Sequence, residues 1–260
     1  MADSVLYEVD EGLATVTLNR PDAMNALDAE TKNELRDALR VAASDEEVRA
    51  VLLTARGRAF CVGQDLKEHV ATLEAGGGMT TVAEHYTPIA TAIATMPKPV
   101  VAGVNGVAAG AGAGFAFAAD YRVAADTAAF NTAFAGVALS TDSGMAWTLA
   151  RLAGQGVAAD LLLFPRSVGA QEALALGLVH RVVPAADLAA EAVAVARRLA
   201  SGPTVAYAAI KEALAYGAEH SFAETLAREE ELQARAGASA DHREAVTSFV
   251  RKQPPHFVGR

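Results

Sequence analysis

The chain has 260 residues, of which 52% are hydrophobic and many are alanine, which predicts a helix-rich and tightly packed fold. Its formal net charge of -9 argues against a nucleic acid or an anionic membrane as the main partner, since both need a basic face. Cys61 is the one cysteine, which excludes an internal disulfide, and the N-terminus lacks the pattern of a signal peptide, so a cytoplasmic protein is expected.

The first half of the chain alternates short apolar runs with helical segments. Two strands are predicted at Val5 to Val9 and at Leu13 to Leu18, separated by a hairpin-like turn. Asp28 is placed to cap a helix whose apolar face includes Leu35 and Leu39. Further predictions are buried strands over 50–54 and 100–104 and a further strand of the sheet over 121–124. Between them are predicted a loop over 55–65, a helix over 82–96 disturbed by Pro88, a turn over 105–110, and a small-residue helix to about residue 119.

The second half of the chain is mostly helical in pattern. Helices are predicted over 143–152, 157–164, 170–176, 186–200, 204–218, 222–236 and 241–251, with one short strand over 180–183. Strands at the start, helices at the end and alternation between them predict a layered α/β core with an appended helical segment.

Two loops rich in small residues each follow a predicted buried strand. The first contains Gly63-Gln64-Asp65-Leu66, and the second contains Gly110-Ala111-Gly112-Ala113-Gly114. Small residues let backbone N–H groups approach a ligand, and a helix that begins near Gly110 directs free N–H groups at an anion. Two such groups that converge on one oxygen form an oxyanion hole. The alternative is that these glycines only allow close helix packing, and their spacing does not match the dinucleotide-binding G-x-G-x-x-G pattern.

These loops and several other segments resemble the enoyl-CoA hydratase/isomerase (crotonase) superfamily over essentially the whole chain. The order and spacing of the matching segments carry the resemblance: residues 19–21, 25–27, 60–66, 98–112, 175–179 and 203–211. The resemblance implies an α/β fold with a crotonase-like ββα spiral core and acyl-CoA site over residues 1–185. It also implies a C-terminal helical trimerisation region over residues 186–260, and hence a homotrimer or a dimer of trimers.

By position, the resemblance assigns the two oxyanion N–H groups to Gln64 and Ala111. The family usually has glycine at the second position, so the methyl group of Ala111 reduces the clearance while the N–H remains. The implied substrate-binding residues are Met24, Ala26, Val62, Gly63, Gln64, Asp65, Leu66, Gly110 and Phe134. In an acidic chain, the basic tail residues Arg251, Lys252 and Arg260 are expected to supply phosphate contacts.

The two catalytic glutamates of the family's hydratases have no counterpart here. Gly114 occupies the position of the first, and Phe134 or a near neighbour occupies the position of the second. Hydration needs one group to activate water and another to protonate the α-carbon, and neither residue type can do this. Enoyl-CoA hydration is therefore disfavoured.

Asp142, in Ser140-Thr141-Asp142-Ser143-Gly144, is the remaining acid–base candidate. Some isomerases of this superfamily carry their catalytic aspartate at this loop position, and a carboxylate near apolar walls such as Phe134 and Trp147 would have a raised pKa. The alternative is that Asp142 caps the following helix, and the two roles can coexist.

The resemblance is strongest to the isomerase branch of the superfamily, through residues 63–66, 110–113, 142–144 and the tail from Asp241 to Gly259. It implies an enolate-stabilising 1,3-proton shift on an unsaturated or epoxidised acyl-CoA, with ring-1,2-epoxyphenylacetyl-CoA as a candidate substrate. Phenylacetate catabolism and fatty acid metabolism are the implied contexts. Met145 and Ser140-Thr141 depart from that branch. The alternatives are an enoyl-CoA hydratase, a thioester hydrolase, or a non-catalytic acyl-CoA- or RNA-binding member.

No metal or separate cofactor is expected, because the six histidines lack metal-ligand spacing and coenzyme A arrives with the substrate. Asp65 and Asp120 are expected to hold loops through backbone hydrogen bonds. Glu84 is expected at a solvated surface, and Trp147 is expected to be a core residue.

Overall fold

The computed structural model describes residues 3–260, and its strands form two sheets. The strands are β1 (Val5–Asp10), β2 (Leu13–Leu18), β3 (Ala50–Ala55), β4 (Ala59–Cys61), β5 (Val100–Val104), β6 (Val107–Ala109), β7 (Tyr121–Ala125), β8 (Ala129–Asn131), β9 (Val168–Gly169) and β10 (Arg181–Val183). The larger sheet has the order β1-β2-β3-β5-β7-β10 and the smaller one β4-β6-β8-β9. Pairs β1–β2 and β8–β9 are antiparallel, and the other pairs are parallel.

Helices cover most of the remaining chain. They are α1 (Ala29–Ser44), α2 (Leu66–Glu74), α3 (Thr87–Thr95), α4 (Ala111–Ala118), α5 (Met145–Leu163), α6 (Ala170–Ala175), α7 (Leu188–Ala200), α8 (Thr204–Gly217), α9 (Phe222–Gly237) and α10 (Ala240–Arg251). Short 3-10 helices lie at Pro21–Ala23 and Phe134–Val137, and a π-helix lies at Val82–Tyr86.

The core of the molecule is a spiral of ββα units. In the units β3–β4–α2, β5–β6–α4 and β7–β8–α5, the first strand joins the larger sheet and the second joins the smaller sheet. A helix then leads to the next unit. This arrangement confirms the predicted crotonase-like α/β core, and it brings the ends of β4, β6 and β8 to neighbouring positions.

Helix α1 shows why the local sequence folds as predicted. Asp28 Oδ1 accepts a hydrogen bond from Thr31 N at 2.9 Å and caps the helix. Leu35 and Leu39 are fully buried against the sheet, and Lys32 lies on the same buried face. A lysine on the apolar face of an amphipathic helix needs polar partners inside the protein.

The structure departs from the sequence predictions at the smallest elements. The predicted loop over 55–65 contains β4, and the predicted turn over 105–110 contains β6. Strands β8 and β9 and helix α2 were not predicted. A three-residue strand is too short to show a period of two, and its pairing partners are distant in the chain. Gly154, with φ 82°, interrupts α5 at the predicted gap between two helices.

The C-terminal helices follow the predicted bounds within about three residues. Helix α7 packs on the larger sheet, and the division of the chain at residues 185 and 186 stays a prediction. Large apolar side chains on later helices are exposed: Leu214, Phe222, Phe249 and Val250. A homotrimer or a dimer of trimers would cover such surface, and it also stays a prediction. No helix in residues 3–260 is both long and apolar enough to cross a membrane.

Candidate active site

The two small-residue loops meet at Gly63. Gly63 has φ +84°, and a side chain there would place its Cβ 3.0 Å from the Ala109 carbonyl oxygen and 3.6 Å from Ala111 N. Only glycine adopts this backbone conformation without strain, and only glycine allows this approach. The residue before Gln64 therefore contacts the residues around Ala111, so the two candidate oxyanion donors are neighbours.

The backbone at Gln64 is held by an isolated parallel bridge to Leu27. Leu27 N donates to Gly63 O at 2.8 Å, and Asp65 N donates to Leu27 O at 3.1 Å. In a parallel bridge of this kind, the central residue's own N–H points to the opposite side. Among residues 3–260 the Gln64 N–H makes no backbone or side-chain hydrogen bond.

The second candidate donor is the first N–H of α4. Gly110 N donates to Asn131 O at 3.0 Å, and Gly114 N begins the helical pattern by donating to Gly110 O. The Ala111 N–H precedes the first intrahelical donor and lies at the positive end of the helix dipole. Ala111 is 3% exposed, so its methyl group is accommodated within the packed core.

The predicted substrate-binding residues lie on three adjoining segments. Met24 ends the first 3-10 helix, and Ala26 precedes the bridge between Leu27 and Gln64. The second segment is the loop from Val62 to Leu66, where Asp65 caps α2 by accepting from Lys67 N at 3.0 Å. The third comprises Gly110 and the strand β8, which leads to the buried Phe134.

Asp65 and Asp120 hold backbone segments, as predicted. Besides capping α2, Asp65 accepts from Arg20 Nη1 at 3.3 Å. Asp120 Oδ2 accepts from Val100 N at 2.8 Å and from Lys211 Nζ at 2.7 Å. Glu84 is exposed, also as predicted.

Gly114 lies directly against the loop that carries Asp142. A Cβ at Gly114 would be 2.7 Å from Ser143 Cβ and 3.3 Å from Ser143 O. Ser143 therefore leaves no room for a side chain at residue 114, the position where the family resemblance predicts a glutamate in a hydratase. The same contact places Asp142 beside α4, less than two turns from Ala111.

Asp142 does not cap the following helix. The N-cap residue of α5 is Gly144, which has no side chain that could cap the helix. Among the described residues, the Asp142 carboxylate has one hydrogen-bond partner, Ser143. Ser143 Oγ donates to Asp142 Oδ1 at 2.7 Å. The alternative of a helix cap is therefore wrong, since the carboxylate has no backbone N–H to hold.

The electrostatic environment of Asp142 suits proton transfer. Burial raises the pKa of its carboxyl above the ordinary value, and the hydrogen bond from Ser143 opposes only part of that rise. Ser143 has φ 53° and Gly144 has φ 71°. A left-handed serine is a strained conformation, and such strain often occurs at functional loops.

Two residues beside the candidate site were not found from the sequence. Lys32 and Tyr86 are each 2% exposed, and both donate hydrogen bonds to Gln64 Oε1. Burial raises the pKa of the Tyr86 hydroxyl, and the negative charge of Asp142 raises it further. The burial of Lys32 could have been predicted from the sequence, because its spacing of three and seven residues from Leu35 and Leu39 puts it on the buried face of α1.

Trp147 does not pack as a core residue, contrary to the sequence prediction. It is 40% exposed, its Nε1 donates to Glu219 Oε1 at 3.0 Å, and the Arg151 guanidinium stacks 3.8 Å from the ring centroid. Of its two partners, Arg151 lies on α5 with Trp147, and Glu219 lies just after α8. It is therefore not one of the predicted apolar walls.

The described residues contain no group of three or more histidine, cysteine, aspartate or glutamate side chains placed to bind a metal ion. The candidate site instead combines two backbone donors with a half-buried carboxylate whose pKa is raised. Such an arrangement can hold a developing oxyanion and exchange a proton with a nearby carbon.

Comparison with known proteins shows the family of the chain. Residues 8–260 match the family model described as enoyl-CoA hydratase/isomerase. A "probable enoyl-CoA hydratase" from Rhodobacter capsulatus is 46% identical over 99% of this chain and 98% of its own length. The 1,2-epoxyphenylacetyl-CoA isomerase of Escherichia coli is 38% identical over the full length of both chains.

A solved structure gives the same result for the fold. The crystal structure of a Mycobacterium abscessus protein, assigned as an enoyl-CoA hydratase/isomerase, is 45% identical with a TM-score of 0.95. It covers 98% of this chain and 100% of its own. The chain therefore belongs to the enoyl-CoA hydratase/isomerase family, which acts on acyl-CoA thioesters, and it has the crotonase fold.

Proposed function

We propose that the protein is an acyl-CoA isomerase that moves a proton between two carbons of an unsaturated or epoxidised acyl-CoA. The observation that carries the proposal is the contact between Gly114 and Ser143, which leaves no room for a larger side chain at residue 114 and sets Asp142 beside α4. One carboxylate is sufficient for a 1,3-proton shift, whereas hydration also requires an activated water.

In the simplest reaction, the thioester oxygen accepts hydrogen bonds from the N–H groups of Gln64 and Ala111. The Asp142 carboxylate takes a proton from C2 of a 3-enoyl-CoA, and the electron pair delocalises onto the thioester oxygen and along the chain. The protonated Asp142 then returns the proton to C4, which gives the 2-enoyl-CoA. No atom is gained or lost, and the carboxylate is regenerated.

The similarity to an isomerase from Escherichia coli supports this proposal, whereas the name of the Rhodobacter capsulatus relative favours hydration. The two activities are separated by giving the protein a 3-enoyl-CoA and crotonyl-CoA in parallel. We expect the first to gain the absorbance of a conjugated thioester and the second to keep it. Hydration of crotonyl-CoA on the order of 10 per second would contradict the proposal and support the alternative.

Ser143→Ala should shift the pH dependence of isomerisation without abolishing it. Asp142 must be ionised to accept a proton, so kcat/KM falls as the pH drops below its pKa. Removing the Ser143 hydroxyl removes the hydrogen bond that lowers this pKa, so the acid limb should move to higher pH. Ser248→Ala, which removes a hydroxyl–carboxylate hydrogen bond on α10, is the matched control and should leave the profile unchanged. An acid limb that stays in place in Ser143→Ala would contradict the role of Asp142 as the base.

A further inference from the structure

A polar cluster that includes the buried side chains of Lys32 and Tyr86 surrounds the side chain of Gln64. Lys32 Nζ donates to Glu68 Oε1 at 2.5 Å, to Thr81 Oγ1 at 3.0 Å and to Gln64 Oε1 at 3.5 Å. The Tyr86 hydroxyl donates to the same Gln64 oxygen. Gln64 Nε2 donates to Glu68 Oε1 at 3.1 Å. The cluster lies outside the predicted catalytic and substrate-binding residues, except for Gln64 itself.

These contacts hold the Gln64 amide in one orientation. Its oxygen faces two donors and its nitrogen faces a carboxylate, so a flipped amide would lose these hydrogen bonds. The backbone on either side is held by the bridge to Leu27. Side chain and backbone are thus both restrained, and the N–H of Gln64, which has no hydrogen-bond partner among residues 3–260, points away from the bridge to Leu27.

Tyr86 contacts the side chain of Gln64 and also α4, the helix that begins at Ala111. Its hydroxyl binds Gln64, and its ring packs edge-to-face against Phe115, with 6.1 Å between the ring centroids. Phe115 is on α4, the helix whose first N–H belongs to Ala111. Tyr86 ends the π-helix Val82–Tyr86, a widened turn that often occurs at functional sites.

The buried ammonium of Lys32 and the buried hydroxyl of Tyr86 need hydrogen-bond partners inside the protein. Removal of an ammonium from water is costly unless it is paired, and Lys32 is paired with Glu68. The ammonium of Lys32 has three N–H donors, and their acceptors are Glu68, Thr81 and Gln64, so Lys32 links the side chain of Gln64 to the ion pair. The arrangement is that of a support, since supporting residues orient those that contact the substrate.

We propose that Tyr86, assisted by Lys32, is a positioning residue that sets the direction of the Gln64 N–H relative to that of Ala111. The inference rests on the proposed function, because it assigns both N–H groups to the thioester oxygen. Neither Tyr86 nor Lys32 contacts the substrate in this role. Their effect passes through the side chain of Gln64 and through Phe115.

Tyr86→Phe is the direct test, since it keeps the ring on Phe115 and removes only the hydroxyl. We expect kcat to fall about 10- to 100-fold with little change in KM, as for a small misplacement of a catalytic group. Tyr7→Phe is the matched control. The Tyr7 hydroxyl, on β1 and outside the site, is buried and has no hydrogen-bond partner among residues 3–260, so its loss should leave turnover unchanged.

A double-mutant cycle separates positioning from a general structural effect. Gln64→Ala keeps the backbone N–H and removes the side chain on which Tyr86 acts. In the Gln64→Ala background, Tyr86→Phe should therefore have little further effect on kcat. If Tyr86→Phe lowers kcat by the same factor in both backgrounds, its effect does not pass through Gln64 and the inference is overturned.

A spectroscopic measurement tests the inference independently of isomerase turnover. The carbonyl stretch of bound hexanoyl-CoA, labelled with carbon-13 at the thioester carbon, reports polarisation by the two N–H groups. We expect binding to the parent protein to lower this frequency and Tyr86→Phe to reverse part of the shift. An equal shift in both proteins would overturn the positioning role. If the parent protein shows no isomerisation but the carbonyl frequency still shifts on binding and the shift depends on Tyr86, only the proposed reaction is contradicted.

Discussion

Asp142→Asn should reduce kcat for isomerisation of a 3-enoyl-CoA by about 100- to 10,000-fold, the usual scale for a general acid–base group. Asparagine has nearly the same shape and its side-chain oxygen can still accept from Ser143 Oγ. It cannot take up the proton. Uptake of deuterium from heavy water into the acyl chain should fall in parallel with turnover, while acyl-CoA affinity should change little because the N–H groups of Gln64 and Ala111 are intact.

The same substitution should increase stability at neutral pH. The folded protein raises the pKa of Asp142, so its ionisation costs stability once the pH exceeds the unfolded-state pKa. The cost grows through the interval up to the folded pKa and is constant above it. Asp142→Asn should therefore unfold at a higher temperature than the parent at pH 7, with the difference vanishing in acid.

Asp160→Asn is the matched control, because Asp160 is an exposed aspartate on α5, the helix that follows the loop of Asp142. It should leave turnover unchanged. An Asp142→Asn protein that isomerises at near-parent rate would remove Asp142 from the mechanism. Another carboxylate would then be the base.

Gly114→Ala should destabilise the protein and displace the catalytic loop. The new methyl group would lie 2.7 Å from Ser143 Cβ, and overpacking of this kind typically costs about 1–3 kcal/mol. Turnover should fall with it, because relief of the clash moves the residue adjacent to Asp142. Thermal unfolding and isomerase kinetics on the same preparation would measure both effects.

A second substitution should relieve the clash between the new methyl group at residue 114 and Ser143. Ser143→Gly removes the Cβ that the new methyl group meets and also suits the positive φ of residue 143. The double variant should regain most of the lost stability, though not the hydroxyl on Asp142. Gly156→Ala, at an open position within α5, is the control and should be neutral or slightly stabilising. Equal unfolding temperatures for Gly114→Ala and Gly156→Ala would contradict the contact.

The sequence predicted the elements whose pattern is local. Helix α1 and strand β2 contain enough residues to show their period, and β5 is a continuous apolar run. The two strands have the predicted bounds, and α1 begins directly after the predicted cap Asp28. The short strands β4, β6 and β8 are defined by pairing with one another across long stretches of chain. Neighbouring residues in the chain cannot encode such pairing, which is why β4 was predicted as part of a loop, β6 as part of a turn, and β8 was not predicted.

The candidate site was accessible from the sequence only in part. The positions of Gln64, Ala111 and Asp142 came from spacing and family resemblance, and the structure places their segments in contact. The roles of Lys32 and Tyr86 could not be predicted, because each depends on a partner more than 20 residues away in the chain. Asp142 itself was ambiguous, since an aspartate before a helix has the same local pattern whether or not it caps.

Cys61 offers a practical consequence of the packing of β4 under α4. Its side chain is fully buried, and burial raises the pKa of the thiol to about 12. Thiol-directed reagents react with the thiolate, which is scarce at this site under ordinary labelling conditions. A cysteine introduced at an exposed position would then be the one reactive thiol of the protein. Fluorophores or spin labels could thus be attached at chosen places without first removing the natural cysteine.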